Sequence, residues 1–309
     1  MRVVFMGTPE FAVPSLEALA EAFDVRAVVS QPDRPRGRGQ RLAAPPVKQR
    51  ALELGLPVLQ PARVRDPEFF EELRRLAPEV ILVAAYSRLI PPGILELPPL
   101  GCINLHPSLL PRYRGAIPIQ AAVMNGDPVT GITTFVMDEG YDTGDLLLQV
   151  EEPVGAEETG QELAGRLAQL GARVLVETVR GLAGGTLIRR PQPAEADYTK
   201  PLRKEDLGVD WSRRSEEVRN FIRALAHEPA ASASWRGEPV KLGRAEVFPG
   251  PTGEPGTVVA LEKGRGPVVA TGDGAVLLTE LKPSGKGWMD GWSFVLGRRP
   301  ELGSRLDGR

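Results

Sequence analysis

The sequence predicts a two-domain protein: a doubly wound, Rossmann-like α/β domain over residues 1–189, then a small all-β, OB-like barrel over residues 207–309. Three observations carry this. The chain opens as an expected strand (3–6), a glycine turn (Gly7-Thr8-Pro9-Glu10), an amphipathic helix (13–22) and a second strand (25–29), which is how a doubly wound sheet begins. Apolar runs and helical periodicities go on alternating as far as Gly181. From Ala231 onward the chain turns instead to short strands between Gly/Pro turns, the pattern of a small closed barrel.

Length and composition agree with that division. At 309 residues the chain is long enough for two cores. Apolar content of 42% and charged content of 25% are ordinary for a globular protein. The net charge of −2 conceals −4 over residues 1–202 and +2 over 203–309, a split too slight to imply a nucleic-acid partner by itself. The single Cys102 excludes an internal disulfide framework and fits a reducing compartment, so a cytoplasmic location is expected. Beside an apolar run it reads as a small buried hydrophobe. No segment reaches the ~20 apolar residues of a membrane-spanning helix, and the first apolar run is too short for a signal peptide; no membrane association and a monomer are expected.

In chain order, the first βα turn has one glycine and no G-x-G-x-x-G, which argues against a dinucleotide site. Thr8 and Pro9 stand where a cleft opens in such folds, or simply make the turn. Residues 31–41, Gln-Pro-Asp-Arg-Pro-Arg-Gly-Arg-Gly-Gln-Arg, hold four arginines and little to bury, and are expected as a mobile surface loop. Arginine forks suit phosphate; a solvated basic loop is the plainer reading. A helix over 47–54, a short strand over 57–59, a helix over 67–76 begun by Pro67, and a buried strand over 80–85 follow. Past the central motif come a helix over 117–124, strands over 131–136 and 146–150, and a long amphipathic helix over 159–181. Residues 190–206, with Arg190-Pro191-Gln192-Pro193 and Tyr198-Thr199-Lys200-Pro201, read as an interdomain linker. A helix over 215–226 ends at His227, expected as its C-terminal cap. Five strands complete the barrel: 233–236, 240–247, 256–261, 267–270 and 275–281.

The stretch richest in chemistry is Ile103-Asn104-Leu105-His106-Pro107-Ser108-Leu109-Leu110-Pro111-Arg112-Tyr113-Arg114-Gly115, which holds one of two histidines. An amide two residues before a histidine shares its face if the segment is a strand. Such a pair can stabilise an oxyanion and move a proton near neutral pH. It can equally satisfy backbone groups at a strand end. Two prolines stiffen the exit, and Ser108-Leu109-Leu110 fits a ligand-facing turn. Asp142, in Gly140-Tyr141-Asp142-Thr143-Gly144-Asp145, reads by itself as an ordinary turn residue. No His/Cys cluster is present to hold a metal.

The string from Asn104 to Gly115 resembles the active-site signature of the 10-formyltetrahydrofolate-dependent formyltransferases, and Asp142 falls where that family carries its catalytic aspartate. The resemblance implies Asn104, His106 and Asp142 as catalytic residues. Asn104 and a protonated His106 would stabilise an oxyanion, with Asp142 orienting His106 and raising its pKa. It further implies 10-formyltetrahydrofolate as formyl donor, contacted by Arg88, Leu89 and Ile90 and by Ser108, Leu109, Leu110 and Pro111. Members acting on methionyl initiator tRNA carry a basic insertion like residues 31–41, so Arg38, helped by Arg36 and Arg41, is implied as tRNA-binding. Those members also end in a small barrel, and Lys282-Pro283-Ser284-Gly285-Lys286-Gly287 resembles their C-terminal motif. Relatives that formylate a nucleotide-linked amino sugar share the catalytic domain and a barrel; the arginine-rich segment argues against that acceptor.

Overall fold

The computed structural model describes residues 1–36 and 41–308. It divides into two compact units: Met1–Gly115, Thr130–Pro153 and Ala164–Tyr198 form the first, and Ala116–Val129, Val154–Leu163 and Thr199–Arg309 the second. The elements run β1 (Arg2–Gly7), α1 (Val13–Ala22), β2 (Asp24–Val29), β3 (Arg34–Arg36), β4 (Arg41–Ala43), α2 (Pro46–Glu53), β5 (Val58–Leu59), α3 (Pro67–Leu76), β6 (Val80–Ala84), α4 (Pro92–Leu95), β7 (Cys102–His106) and β8 (Arg114–Gly115). They continue with α5 (Pro118–Met124), β9 (Val129–Val136), β10 (Leu146–Pro153), α6 (Gly160–Ala183), β11 (Tyr198–Thr199), α7 (Ser215–Ala224), β12 (Ala231–Trp235), β13 (Glu238–Phe248), β14 (Val258–Glu262), β15 (Gly266–Ala270), β16 (Ala275–Pro283), β17 (Met289–Asp290), α8 (Gly291–Arg298) and β18 (Leu306–Asp307). Among the described residues no helix is long and apolar enough to cross a membrane.

The first unit is built on a seven-stranded sheet in the order β10-β9-β7-β6-β1-β2-β5. β1 lies parallel between β2 and β6, with Phe5 opposite Val28 on one side and Leu82 on the other. β6 is buried along its whole length, which is why it reads as an unbroken apolar run rather than an alternating one. The chain therefore leaves β1 first toward one edge and returns to build the other. That reversal opens a crevice at the carboxyl ends of β1 and β6, where doubly wound sheets bind ligands. Gly7 ends β1 there; a Cβ on it would stand 2.9 Å from the Phe5 ring and 3.1 Å from the Ala84 carbonyl oxygen, so the close approach of β1 to β6 requires glycine. β7 follows parallel to β6, and β9 then pairs antiparallel with β7, placing His106 opposite Thr133.

The helices form where local signals favour them. α3 begins with Asp66, whose carboxylate accepts from Glu68 N at 3.1 Å, and with Pro67 in its first turn, which suits a residue without an N–H. Its Phe69 and Leu73 join Val4, Met6, Ile81, Val83, Tyr86, Ile90, Ile94 and Cys102 in one core. On α6, Leu167, Leu170, Val174, Leu175 and Val179 are buried. Gly171 lies against Leu105 of β7, so closely that a Cβ would be 2.8 Å from Leu105 Cδ2.

The segment 31–41, expected as a loop, supplies β3 and the first residue of β4, an antiparallel pair that matches Arg34 with Ala43, Pro35 with Leu42 and Arg36 with Arg41. Polar contacts fix its base. Gln31 Nε2 donates to Tyr86 O at 2.8 Å, Arg34 donates to Gln31 Oε1 at 2.7 Å, and Lys48 Nζ lies 2.8 Å from Asp33. With so few apolar residues the pair gives no alternating signal, and it went unforeseen.

In the second unit the sheet order is β14-β15-β16-β13-β12-β18, with β17 on β16. The two ends meet: Val258 N donates to Ser304 O and Leu306 N to Gly256 O, each at 2.8 Å. This curls the antiparallel sheet round on itself like a small barrel. Val218 and Ile222 of α7 and Phe294 of α8 fill it together with Trp235, Leu242, Val276 and Leu281. α8 was not foreseen, although Asp290 accepting from Ser293 N at 2.8 Å is a readable cap. α7 ends at Ala224, and His227 does not cap it. His227 Nε2 lies 3.0 Å from Glu280 Oε2, and its ring meets Trp288 edge-on at 5.0 Å.

Candidate active site

β7 carries Asn104 and His106 on one face, as alternation requires, and delivers His106 to the carboxyl edge of the sheet. The imidazole is buried. Its Nε2 lies 2.9 Å from Tyr113 O. A carbonyl can only accept, so Nε2 carries the proton and donates. That leaves Nδ1 facing Asp142 Oδ2 at 3.7 Å. The same Oδ2 accepts from Gly115 N at 2.8 Å, so Asp142 is held by β8, the short strand that ends the signature.

Burial lowers the His106 pKa, outweighing the Asp142 carboxylate and the Tyr113 carbonyl, both of which raise it. The resemblance foresaw the attraction of Asp142, but desolvation of an imidazolium on a strand beneath a folded loop is the larger effect. The direction of this shift favours a neutral His106 at rest, with Nδ1 facing the Asp142 carboxylate.

The backbone around the site is unusual. Ala85, Ser87, Tyr113 and Asp142 have φ of 48°, 57°, 59° and 56°. Left-handed non-glycine residues cost about 1–3 kcal/mol each and gather at functional sites. Four of the five such residues described in the first unit lie in the loops after β6, β7 and β9. In the Asp142 turn, Gly144 passes so close to Val136 that a Cβ would overlap its carbonyl oxygen. Gln192 secures the turn from outside: its Nε2 donates to Asp142 O at 2.9 Å and Gly144 O at 2.7 Å. Its Oε1 accepts from the Arg114 guanidinium at 2.7 Å. Sequence reasoning missed Gln192, because a linker-like composition gives no sign of a partner 50 residues away.

The residues implied as folate contacts fall into two groups. Arg88 is exposed, Leu89 is 49% exposed, and Leu109 and Pro111 are half-buried, so these side chains can meet a ligand. Ile90 is 2% exposed and belongs to the core with Tyr86 and Ile94, and Leu110 packs on Phe135 and Leu146. The Ser108 hydroxyl donates to Arg112 O at 2.6 Å, and Ser108 O accepts from Thr133 Oγ1 at 2.6 Å. Ile90, Ser108 and Leu110 therefore support the loops from beneath and have only backbone atoms to offer. Thr8 Oγ1 is likewise buried, without a hydrogen-bond partner among the described residues. Of the implied tRNA contacts, Arg36 and Arg41 face one another in the β3–β4 ladder, and Arg38 lies outside the described residues. Nothing in the first unit places Cys102 in the chemistry: it is buried, and burial pushes its thiol up to about 12.

Two family models match the chain: Formyl transferase over residues 1–179 and Formyl transferase, C-terminal domain, over residues 201–299. Among curated proteins, the methionyl-tRNA formyltransferase of Symbiobacterium thermophilum is 49% identical, over 99% of this chain and 95% of that protein. That of Geobacter sulfurreducens is 46% identical, over 99% and 96%. Among solved structures, HypX from Aquifex aeolicus in complex with tetrahydrofolic acid aligns with a TM-score of 0.64 at 21% identity, covering 96% of this chain and 47% of that one. An N-formyltransferase from Helicobacter canadensis, with folinic acid and dTDP-3-aminofucose, aligns with a TM-score of 0.65 at 18% identity, covering 89% and 98%. At such identities these two structures speak to the fold alone.

Proposed function

This chain belongs to the formyl transferase family, and from that we propose that it transfers the formyl group of 10-formyltetrahydrofolate to the amino group of methionyl initiator tRNA. The observation that carries the acceptor is full-length identity of 44–49% to proteins named methionyl-tRNA formyltransferase. Sugar formyltransferases share the fold at far lower identity. In this reading residues 1–189 are catalytic, 190–206 connect, and the barrel of 207–309 adds phosphate contacts. The acting unit is a cytoplasmic monomer.

In this reading the first unit carries out the chemistry. The methionyl amine attacks the formyl carbon, the carbonyl π pair moves onto oxygen, and a tetrahedral intermediate forms. Asn104 supplies an N–H to that oxyanion. Neutral His106 accepts the proton of the attacking amine at Nδ1, and the Asp142 carboxylate 3.7 Å away stabilises the imidazolium so formed. The proton then reaches the folate nitrogen as the C–N bond breaks and the oxyanion collapses. His106 returns to its neutral form, and no redox step is involved. Donation from His106 Nε2 to Tyr113 O fixes the tautomer that makes Nδ1 the base. The exposed Leu89 and Arg88 and the half-buried Leu109 and Pro111 offer apolar and cationic surface to the pterin end of the donor.

An acceptor panel tests this reading. Labelled 10-formyltetrahydrofolate is offered with methionyl initiator tRNA, methionyl elongator tRNA and a dTDP-linked amino sugar. Labelling of the initiator at a rate at least tenfold above the other two is expected. Preferential labelling of the sugar would transfer the chemistry to the other acceptor class.

A further inference from the structure

One group beside the site has no part in the steps above: the Arg114–Gln192 pair. Arg114 is buried. Its Nε and Nη2 donate to Gln192 Oε1 at 3.1 and 2.7 Å, and its Nη1 donates to the Tyr198 hydroxyl at 2.9 Å. The guanidinium lies 5.6 Å from the Tyr198 ring centroid, within cation–π range. Gln192 then donates both amide hydrogens, one to Asp142 O and one to Gly144 O. Arginine can only donate and carbonyls can only accept, so the orientation of the Gln192 amide is forced.

Asp142 needs such support because it is left-handed, with φ of 56°, and its carboxylate has to stay in register with His106. Two adjacent residues hold it at opposite ends. Gly115 N donates to its carboxylate, and Arg114 acts through Gln192 on its carbonyl. We propose that Gln192, oriented by Arg114, is a positioning residue that holds the strained Asp142 turn so that the carboxylate faces His106 Nδ1. This rests on the reading of Asp142 as a catalytic residue. The tether lies within the first unit, joining the segment after α6 to the turn after β9. It gives the stretch around 192, which looks like a linker by composition, a role in the chemistry.

The decisive variant is Gln192→Glu. It keeps an oxygen for Arg114 and nearly the same shape, but loses both N–H donors to the Asp142 turn. Gln192→Ala removes both halves of the tether. Misplacement of a reacting group by about 1 Å costs on the order of 100-fold, so kcat is expected to fall about 10- to 100-fold in both variants. KM for donor and tRNA should stay within about twofold. Imidazole NMR supplies a readout that a purely structural role would not move. The chain has only two histidines, and His227→Gln assigns the signals. The charged group facing His106 is Asp142, with the Tyr113 carbonyl as its other polar neighbour. Withdrawing the carboxylate removes an influence that raises the His106 pKa, so its titration should move further down. Unchanged kcat and an unmoved His106 titration, with Asp142→Asn inactive, would overturn the positioning role alone. A fall in kcat accompanied by equal losses in stability and KM, with His106 unmoved, would overturn it too, as a general structural effect. Full activity of Asp142→Asn would sink the underlying reading and the proposal with it.

Discussion

Oδ2 of Asp142 lies 2.8 Å from Gly115 N and 3.7 Å from Nδ1 of His106. The carboxylate is thus anchored by a backbone N–H and stops just short of a hydrogen bond to the imidazole. It favours an imidazolium, and burial of the ring works against that charge and is the larger effect at rest.

That balance has a consequence for stability. The folded His106 pKa lies below 6.5, while the unfolded chain titrates near the ordinary value. As pH falls below about 6.5, the unfolded state binds the proton first and the native state loses stability. The loss continues until the lower folded pKa is passed. Above pH 7 the contribution is complete. Denaturant unfolding of wild type and His106→Gln between pH 5 and 7.5 reads this as a difference. The wild type should lose stability relative to the variant as pH falls, and a gain would mean that the folded histidine is protonated more readily.

Cys102 should be inert. Its thiol is pushed up to about 12 and lies within 3.5 Å of Ile94 O, so almost no thiolate exists at pH 8. A thiol reagent such as DTNB should leave the native protein unlabelled and label one equivalent after denaturation. Cys102→Ala should retain kcat. Rapid labelling of the native chain would show an accessible thiolate.

Thr159 and Glu162 form a reciprocal cap at the start of α6. Thr159 N donates to Glu162 Oε2 at 2.8 Å, and Glu162 N donates to Thr159 Oγ1 at 3.2 Å. The Glu162 pKa falls to about 2, chiefly through the Thr159 N–H, with Arg244 contributing less. Thr159→Ala should cost about 1 kcal/mol, read from the denaturation midpoint. The Glu162 pKa is depressed, so its contribution is present above pH 4.5 and lost as acid takes the pH toward 2. Glu162→Gln should therefore flatten the wild-type loss of stability across that window.

The basic segment is expected to act on the acceptor and not on the donor. Arg38→Ala should weaken binding of methionyl initiator tRNA while leaving folate affinity unchanged, and the log–log salt slope of tRNA binding should become shallower by about one. Equal loss of both affinities would point to misfolding.

Much of this was legible in residues. Pro67 marked the start of α3, and the apolar run from Val80 marked the buried strand beside β1. The spacing of Asn104 and His106 placed both on one face of β7. Sequence could not show that burial works against the attraction of Asp142 at His106. Nor could it show Gln192 reaching Asp142, which depends on the path of the chain after α6. The β3–β4 pair was hidden for a different reason: its pairing buries little, so it leaves no hydrophobic period to read.

The most direct test is single-turnover formyl transfer to methionyl initiator tRNA by wild type and Asp142→Asn at saturating donor. Asp142 supports proton transfer by His106, a contribution of about 10²–10⁴-fold, so the variant should be slower by at least 100-fold while binding 10-formyltetrahydrofolate with unchanged affinity. Transfer by Asp142→Asn at the wild-type rate would contradict the assignment of Asn104, His106 and Asp142 as the reacting centre.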